Sequence, residues 1–167
     1  MQSVALVGLS GVGKSTIGRR VAPRLDLEFV DLDQVIVDHA GCPIVDIFAE
    51  HGEAGFRDLE TQLLAASLDN GPALIATGGG IVLRQENRDL MRDKLTVVWL
   101  RASIETLVPR LTRDSKRPLF AEKDPAATLA EMMKRRDPLY DEVADITIDI
   151  DDLDIHHVVI CVAELAR

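Results

Sequence analysis

The chain has 167 residues, 47% hydrophobic and 28% charged, which suffices for one compact domain with its own core. Its formal net charge of −9 argues against a nucleic-acid partner or an acidic membrane surface, because phosphate groups attract a basic face. The two cysteines, Cys42 and Cys161, lie far apart without CxxC spacing, so neither a zinc site nor a disulfide framework is expected. The sequence contains neither a secretory signal pattern nor an apolar run of transmembrane length, and we therefore expect a cytoplasmic protein.

Short apolar runs alternate along the chain with segments of helical periodicity. The predicted strands are residues 4–7, 29–31, 73–76, 96–100 and 146–150. The predicted helices are residues 14–25, 33–40, 44–68, 85–93, 104–111, 125–140 and 155–166. This alternation predicts a three-layer α/β/α fold with a central five-stranded parallel sheet, in a single domain over residues 1–167. Ligands of such folds bind beyond the carboxyl ends of the strands, so the segments that follow the strands are the candidate sites.

The segment after the first strand, residues 8–15 with the sequence GLSGVGKS, fits the phosphate-binding pattern G-x-x-x-x-G-K-[ST]. Its glycines allow backbone N–H groups to turn inward and form an anion nest at the start of a helix. In this pattern Lys14 reaches the outer phosphates of a nucleotide, and the Ser15 hydroxyl binds magnesium. The alternative is a glycine-rich turn before an ordinary helix, but the apolar strand before the segment and the amphipathic helix after it favour nucleotide binding.

A pair of carboxylates, Asp31 and Asp33, marks the end of the second strand. Residues two apart on a strand point to the same face, so both carboxylates would reach one site. There they can hold hydrated Mg²⁺ and contact a substrate hydroxyl. In the alternative interpretation Asp33 caps the helix that follows. The position of the pair, on the strand after a phosphate loop, favours the functional interpretation.

Three glycines, residues 78–80, follow the third strand and would allow a ligand to approach the backbone closely; the alternative is a flexible turn. Between the second and third strands, Arg57 and Glu60 are spaced to pair on one helix. If buried, the carboxylate would orient the guanidinium for a bidentate grip on an anion. If exposed, the two would form an ordinary surface ion pair. The sequence leaves both interpretations of this pair open.

Two further arginines lie in suggestive places. Residues 112–124 form a long polar connection that carries both signs of charge, and loops of this length are often lids over active sites. We predict a mobile lid here, with Arg117 inside it. Arg136 lies near the end of a predicted helix, where its alternative role is to balance the helix dipole.

Together these motifs resemble the shikimate kinase family, a group of small P-loop kinases, over nearly the whole chain. The resemblance rests on GLSGVGKST at residues 8–16, DxD at 31–33, IF, GE, FR and E within 47–60, GGG at 78–80, RPL at 117–119 and R-x-P-L-Y at 136–140. The order and spacing of the later motifs are far more specific than the phosphate loop alone. The resemblance implies ATP-dependent phosphorylation of the 3-hydroxyl of shikimate, in chorismate and aromatic amino acid biosynthesis.

The resemblance also implies roles for individual residues. The catalytic residues would be Asp33, Lys14 and Arg117. Nucleotide would be bound by Gly11, Val12, Gly13, Lys14, Ser15, Thr16, Arg110 and Arg117. Within a substrate region of about residues 33–60 and the later motifs, shikimate would be bound by Asp33, Arg57, Gly79, Gly80 and Arg136, with Glu60 supporting Arg57. Ser15 and, through water, Asp31 would place Mg²⁺, in a monomer whose partners are ATP and shikimate and which has no nucleic-acid or membrane contact.

The chain departs from the family pattern in two places. Leu32 replaces the small polar residue common between the two aspartates, and residues 149–157 are very acidic where the family has its adenine-side loop. A gluconate kinase-like enzyme is the nearest alternative, but the substrate motifs fit shikimate kinase. A pocket suited to a small acid disfavours adenylate or cytidylate kinase. A non-catalytic nucleotide-binding module would have lost Lys14, Asp33 or Arg117, and all three are present.

Overall fold

The centre of the molecule is a parallel sheet, which the computed structural model describes together with the rest of residues 2–112 and 124–167. Within these residues its strands are β1 Ser3–Val7, β2 Glu28–Asp31, β3 Ala73–Ala76, β4 Leu95–Arg101 and β5 Ile146–Asp149. Their order across the sheet is β2-β3-β1-β4-β5, and every neighbouring pair is parallel. The predicted five-stranded parallel sheet is confirmed, with small differences at the strand ends.

Helices cover both faces of the sheet. They are α1 Lys14–Val21, α2 Leu32–Ala40, α3 Ile44–Ser67, α4 Gln85–Lys94, α5 Ile104–Thr112, α6 Pro125–Val143 and α7 Ile155–Leu165. In β1, Val4, Ala5, Leu6 and Val7 have no exposed surface. Successive side chains of a strand point to opposite faces, so both faces must be covered there. The predicted three-layer α/β/α fold is therefore confirmed.

Two of the predicted helices are interrupted where the sequence supplies a proline or a glycine. The helix predicted for residues 14–25 ends at Val21 and continues as a 3-10 turn, Ala22–Leu25, because Pro23 has no backbone N–H for the next helical hydrogen bond. Within α3, Gly52 has φ 67° and ψ −177°, a conformation open to glycine and not to a helix. The chain therefore changes direction inside α3, before the half that carries Arg57.

The acidic segment that follows β5 finds its partners within the chain. Asp149 accepts two hydrogen bonds of 2.6 Å from the Arg101 guanidinium. Asp151 accepts one of 2.9 Å from the backbone N–H of Ser103, and the Asp154 side chain caps α7. These three carboxylates stabilise the ends of β4, α5 and α7, so three of the four aspartates of the segment have a structural role.

The described helices and cysteines bear on two further predictions. In the part of the chain that the structure describes, no helix combines the length and the apolar composition needed to cross a membrane. Cys42 and Cys161 are half-buried free thiols.

Candidate active site

Three strand ends lie side by side at one edge of the sheet. The register pairs Leu6 of β1 with Ala76 of β3, and Ala76 with Asp31 of β2. The segments that leave these ends are the phosphate loop (residues 8–15), the first turn of α2 and the glycine loop (residues 78–80). All three are therefore brought together beyond the carboxyl edge, where parallel α/β sheets bind their ligands.

The phosphate loop has the backbone geometry that its glycines predict. Gly8, Gly11 and Gly13 have φ values of 139°, 92° and 96°, which disfavour any residue with a side chain. A methyl group at Gly8 would also overlap the carbonyl oxygen of Leu100. The loop leads directly into α1, whose first turn carries no acidic residue, so its N–H groups and dipole favour an anion.

The Lys14 ammonium lies inside this loop. It donates hydrogen bonds to the carbonyl oxygens of Gly8 at 2.6 Å and Leu9 at 3.0 Å, and the residue is only 8% exposed. Arg110, on α5, reaches the same loop and donates to the carbonyl oxygen of Gly11 at 3.2 Å. Two of the cations predicted to contact nucleotide therefore border the phosphate loop.

The two aspartates do not share a strand. β2 ends at Asp31, which is the N-cap of α2, and Asp33 lies in the first turn of that helix. The prediction that both point to one face of a strand is therefore wrong, and so is the alternative that Asp33 caps the helix. The helix starts earlier than predicted, because Leu32 turns fully into the core. The Asp31 side chain makes no capping hydrogen bond, which leaves its carboxylate oxygens available for another ligand.

The Arg57–Glu60 pair is buried. Arg57 Nη1 donates to Glu60 Oε2 at 2.7 Å, and Glu60 has no exposed surface. Burial raises the pKa of Glu60, and the Arg57 guanidinium opposes part of this shift. Among the described residues, Arg57 Nε and Glu60 Oε1 are buried without a hydrogen-bond partner, which is uncommon in a folded protein. The interpretation as an ordinary surface pair is therefore wrong.

An aromatic surface supports Arg57. The guanidinium carbon lies 5.1 Å from the centre of the Phe56 ring, a cation–π distance. Phe56 in turn stacks on Phe48, with 4.6 Å between ring centres. This side of the site therefore combines the Arg57–Glu60 ion pair with an apolar face formed by the two rings.

The glycine loop passes very close to the charged groups at Gly78 and Gly80. A methyl group at Gly78 would lie 2.9 Å from Glu60 Oε1 and 3.1 Å from Asp33 Oδ1. A methyl group at Gly80 would overlap the Arg57 guanidinium. The loop thus passes directly over Asp33, Glu60 and Arg57, which lie together against it, so the glycines serve more than a flexible turn.

Arg136 reaches the same glycine loop from α6. A methyl group at Gly79 would lie 3.5 Å from Arg136 Nη1 and 3.2 Å from the backbone nitrogen of Ser10. Because α6 continues to Val143, Arg136 lies inside the helix, and the alternative of a charge at the helix end is wrong. Ser10 was not among the predicted site residues: it occupies a variable position of the loop pattern, and only the fold brings it to the glycine loop.

The comparisons with known proteins agree on one family. The family model "Shikimate kinase" matches residues 10–165 of the chain. The chain belongs to the shikimate kinase family. A shikimate kinase of Nitrobacter winogradskyi is 48% identical over 147 residues, which cover 88% of this chain and 68% of that protein. A shikimate kinase of Marinomonas sp. is 47% identical over 151 residues, covering 89% and 83%. The predicted activity, ATP-dependent phosphorylation of shikimate, is thereby confirmed.

Solved structures of shikimate kinases match the whole fold. The shikimate kinase of Acinetobacter baumannii in complex with shikimate has a TM-score of 0.93 and 36% identity, and the match covers 99% of this chain and 92% of that one. A gluconokinase from Sinorhizobium meliloti has a TM-score of 0.56 and 19% identity over 99% and 93% of the chains. At that identity the gluconokinase shares the fold alone, so it lends no support to the gluconate alternative.

One predicted part of the shikimate kinase site cannot be placed. Arg117 and residues 113–123 of the predicted lid lie outside the described residues, which include only its ends, Thr112 and Asp124. The role of Arg117 stays a prediction from the sequence.

Proposed function

We propose that this shikimate kinase transfers the γ-phosphoryl group of ATP to the 3-hydroxyl of shikimate in the pocket between the phosphate loop and the glycine loop. One observation carries the proposal. Asp33, Arg57 and Arg136 converge on residues 78–80, and Gly79 in turn lies next to Ser10 of the phosphate loop. The acceptor and the donor sites therefore share a border, as direct in-line transfer requires.

The acceptor side of the pocket suits a small polyol with one carboxylate. Arg57, oriented by buried Glu60, and Arg136 are the cations that would bind the carboxylate. Asp33 is the carboxylate that would bind the hydroxyls and orient the one that attacks phosphorus. The backbone of Gly79 and Gly80 would line the same pocket.

On the donor side, the phosphate loop would hold the nucleotide. The N–H groups of residues 11–16 would cradle the phosphates, and Lys14 would leave its carbonyl partners to neutralise charge that develops on the transferred group. Arg110 would lie against the base of the nucleotide. Arg117 would add positive charge from the lid, whose closure would exclude water and suppress hydrolysis of ATP.

The oxygen ligands that follow the ends of β1 and β2 are of the kinds that magnesium prefers. Ser15 supplies a hydroxyl in the first turn of α1, and Asp31, the N-cap of α2, supplies a carboxylate that makes no capping hydrogen bond. Mg²⁺ prefers few protein oxygens of these kinds and keeps several waters. When bound, the ion would neutralise charge on the phosphates of ATP; Ser15 would contact it directly and Asp31 through water.

Three further features of the proposal concern the whole molecule. We expect a monomer, which equilibrium sedimentation would test, and a cytoplasmic location. We expect no nucleic-acid or membrane contact, because the net charge of −9 repels anionic surfaces.

The test of the function is release of ADP from Mg-ATP, measured with shikimate, with gluconate and with neither. Release that depends on shikimate and is absent with gluconate would support the proposed transfer. A protein that binds ATP and releases no ADP with shikimate would contradict it.

Replacing Arg136 with alanine should weaken shikimate binding about 10- to 100-fold, because a charge-assisted hydrogen bond to the carboxylate is lost. ATP affinity should stay within about twofold, since the nucleotide lies across the pocket. Calorimetric titration with each ligand measures both. The matched control is Arg135→Ala, an exposed neighbour on the same helix that should change neither. Equal losses for the two ligands would contradict the assignment of Arg136.

Replacing Asp31 with asparagine should raise the Mg²⁺ concentration needed for half-maximal activity about tenfold, because a carboxylate that orients metal-bound water is lost. A magnesium titration at saturating ATP and shikimate measures the effect. Asp38→Asn, on the exposed surface of α2, is the control and should leave the titration unchanged. An unchanged Mg²⁺ requirement in the Asp31 variant would remove this residue from the metal site.

A further inference from the structure

Tyr140 is a buried tyrosine whose hydroxyl reaches the glycine loop. The residue has no exposed surface, and its ring stacks on Trp99 with 5.6 Å between ring centres. Its hydroxyl donates a hydrogen bond to the carbonyl oxygen of Gly79, across the interface between α6 and the loop. None of the functions described above uses this side chain.

The Tyr140 bond differs from the other hydrogen bonds of the loop. The carbonyl of Gly78 accepts from the N–H of Ile81 at 3.2 Å, and that of Gly80 accepts from the N–H of Leu83 at 3.0 Å. Both of these bonds join residues of the turn itself, so they do not fix the position of the loop relative to α6. The carbonyl of Gly79 accepts instead from Tyr140, so this bond ties the loop to α6.

This bond fixes the direction of the peptide plane between Gly79 and Gly80. The described residues contain no cis peptide bond, and in a trans peptide the C=O and the following N–H point in opposite directions. With the Gly79 oxygen held against Tyr140, the N–H of Gly80 must point away from α6. Gly80 is also the residue whose added methyl group would overlap the Arg57 guanidinium.

The same hydroxyl lies next to Arg136. Arg136 precedes Tyr140 by about one helical turn, so both side chains leave the same face of α6. The Arg136 guanidinium is close enough to lower the pKa of Tyr140, although burial raises that pKa by more, and the hydroxyl keeps its proton for donation at neutral pH. The Tyr140 hydroxyl thus bonds to the Gly79 carbonyl and lies on the same helix face as the Arg136 cation.

We propose that Tyr140 is a positioning residue for shikimate: its hydroxyl holds the Gly79–Gly80 peptide and the Arg136 side chain in the arrangement that binds the substrate. The proposal rests on the proposed function of the pocket. It also gives a physical role to the last residue of the R-x-P-L-Y motif, which the catalytic assignments leave without one.

The first test is Tyr140→Phe, which keeps the ring and its stacking on Trp99 and removes only the hydroxyl. We expect KM for shikimate to rise about tenfold, because the Gly79 carbonyl and the Arg136 guanidinium lose a buried partner. KM for ATP should stay within about twofold. The control is Ser67→Ala, which deletes another buried hydroxyl, one that donates to the Leu63 carbonyl at 2.7 Å within α3, and should change neither KM.

A second measurement does not depend on the folding of a variant. Tyr140 is the single tyrosine of the chain, so growth on 3-fluorotyrosine labels this position alone. The ¹⁹F resonance should shift when shikimate is added, and much less when ATP is added. The unlabelled wild-type protein, assayed in parallel for shikimate-dependent ADP release, separates the two hypotheses. If the wild type is inactive, the proposed function fails. If the wild type is active, two results together would overturn the role of Tyr140. The first is a KM for shikimate in Tyr140→Phe equal to that of the wild type, and the second is a ¹⁹F resonance that does not move when shikimate is added. An equal rise of both KM values would likewise overturn it.

Discussion

Replacing Lys14 with alanine should lower kcat at least ~100-fold, comparable to the removal of one preorganised group that stabilises charge in a transition state. Lys14 is 8% exposed and holds its ammonium among the carbonyl oxygens of the phosphate loop. No other described lysine has this position, and a water molecule cannot supply its charge. KM for shikimate should change less than about threefold, because the glycine loop is untouched. Steady-state kinetics with both substrates measures these effects.

The control for this variant has to separate chemistry from folding. Lys94→Ala removes an exposed lysine from the last turn of α4 and should leave kcat unchanged. Thermal unfolding of both variants should show cooperative transitions, since neither substitution removes an apolar side chain from the core. A kcat near that of the wild type in Lys14→Ala would refute the assignment of residues 8–15 as the site of phosphoryl transfer.

The phosphate loop was predictable from the sequence because its function depends on a contiguous stretch of backbone. Gly8, Gly11 and Gly13 adopt positive φ values that only the pattern of glycines permits, and Lys14 follows at once. The fold class was equally predictable, since the alternation of buried strands and amphipathic helices determines which layers can pack. In both cases the prediction depends only on residues that are close together in the sequence.

The acceptor side was only partly predictable because its geometry depends on contacts between distant residues. The burial of Arg57 and Glu60 results from the glycine loop that closes over them, and spacing within α3 carries no information about that loop. The prediction that Asp31 and Asp33 share a strand was wrong because α2 begins at the buried residue Leu32, earlier than propensity indicates. The link from Tyr140 to Gly79 has no local signature at all.

Replacing Gly80 with alanine should raise KM for shikimate about 100-fold and leave KM for ATP nearly unchanged, because Arg57 is the residue that we propose binds the substrate carboxylate through two charge-assisted hydrogen bonds. Gly80 has φ −97° and ψ 6°, so alanine strains its backbone little. The added methyl group would instead overlap the Arg57 guanidinium. That guanidinium would have to leave its 2.7 Å hydrogen bond with Glu60 and its place in the pocket. Steady-state kinetics with each substrate varied in turn measures the effect.

Two comparisons make the Gly80 result specific. Gly71→Ala places a methyl group in open space at φ +107°, so it strains the backbone without touching a side chain. This control should lower the unfolding temperature and leave both KM values unchanged. In an Arg57→Ala background, Gly80→Ala should add little further loss, because the group it displaces is already gone. A wild-type KM for shikimate in Gly80→Ala would mean that the position of Arg57 against Glu60 is not required for substrate binding. A full additional loss in the Arg57→Ala background would place the effect of Gly80 on the loop backbone rather than on the guanidinium.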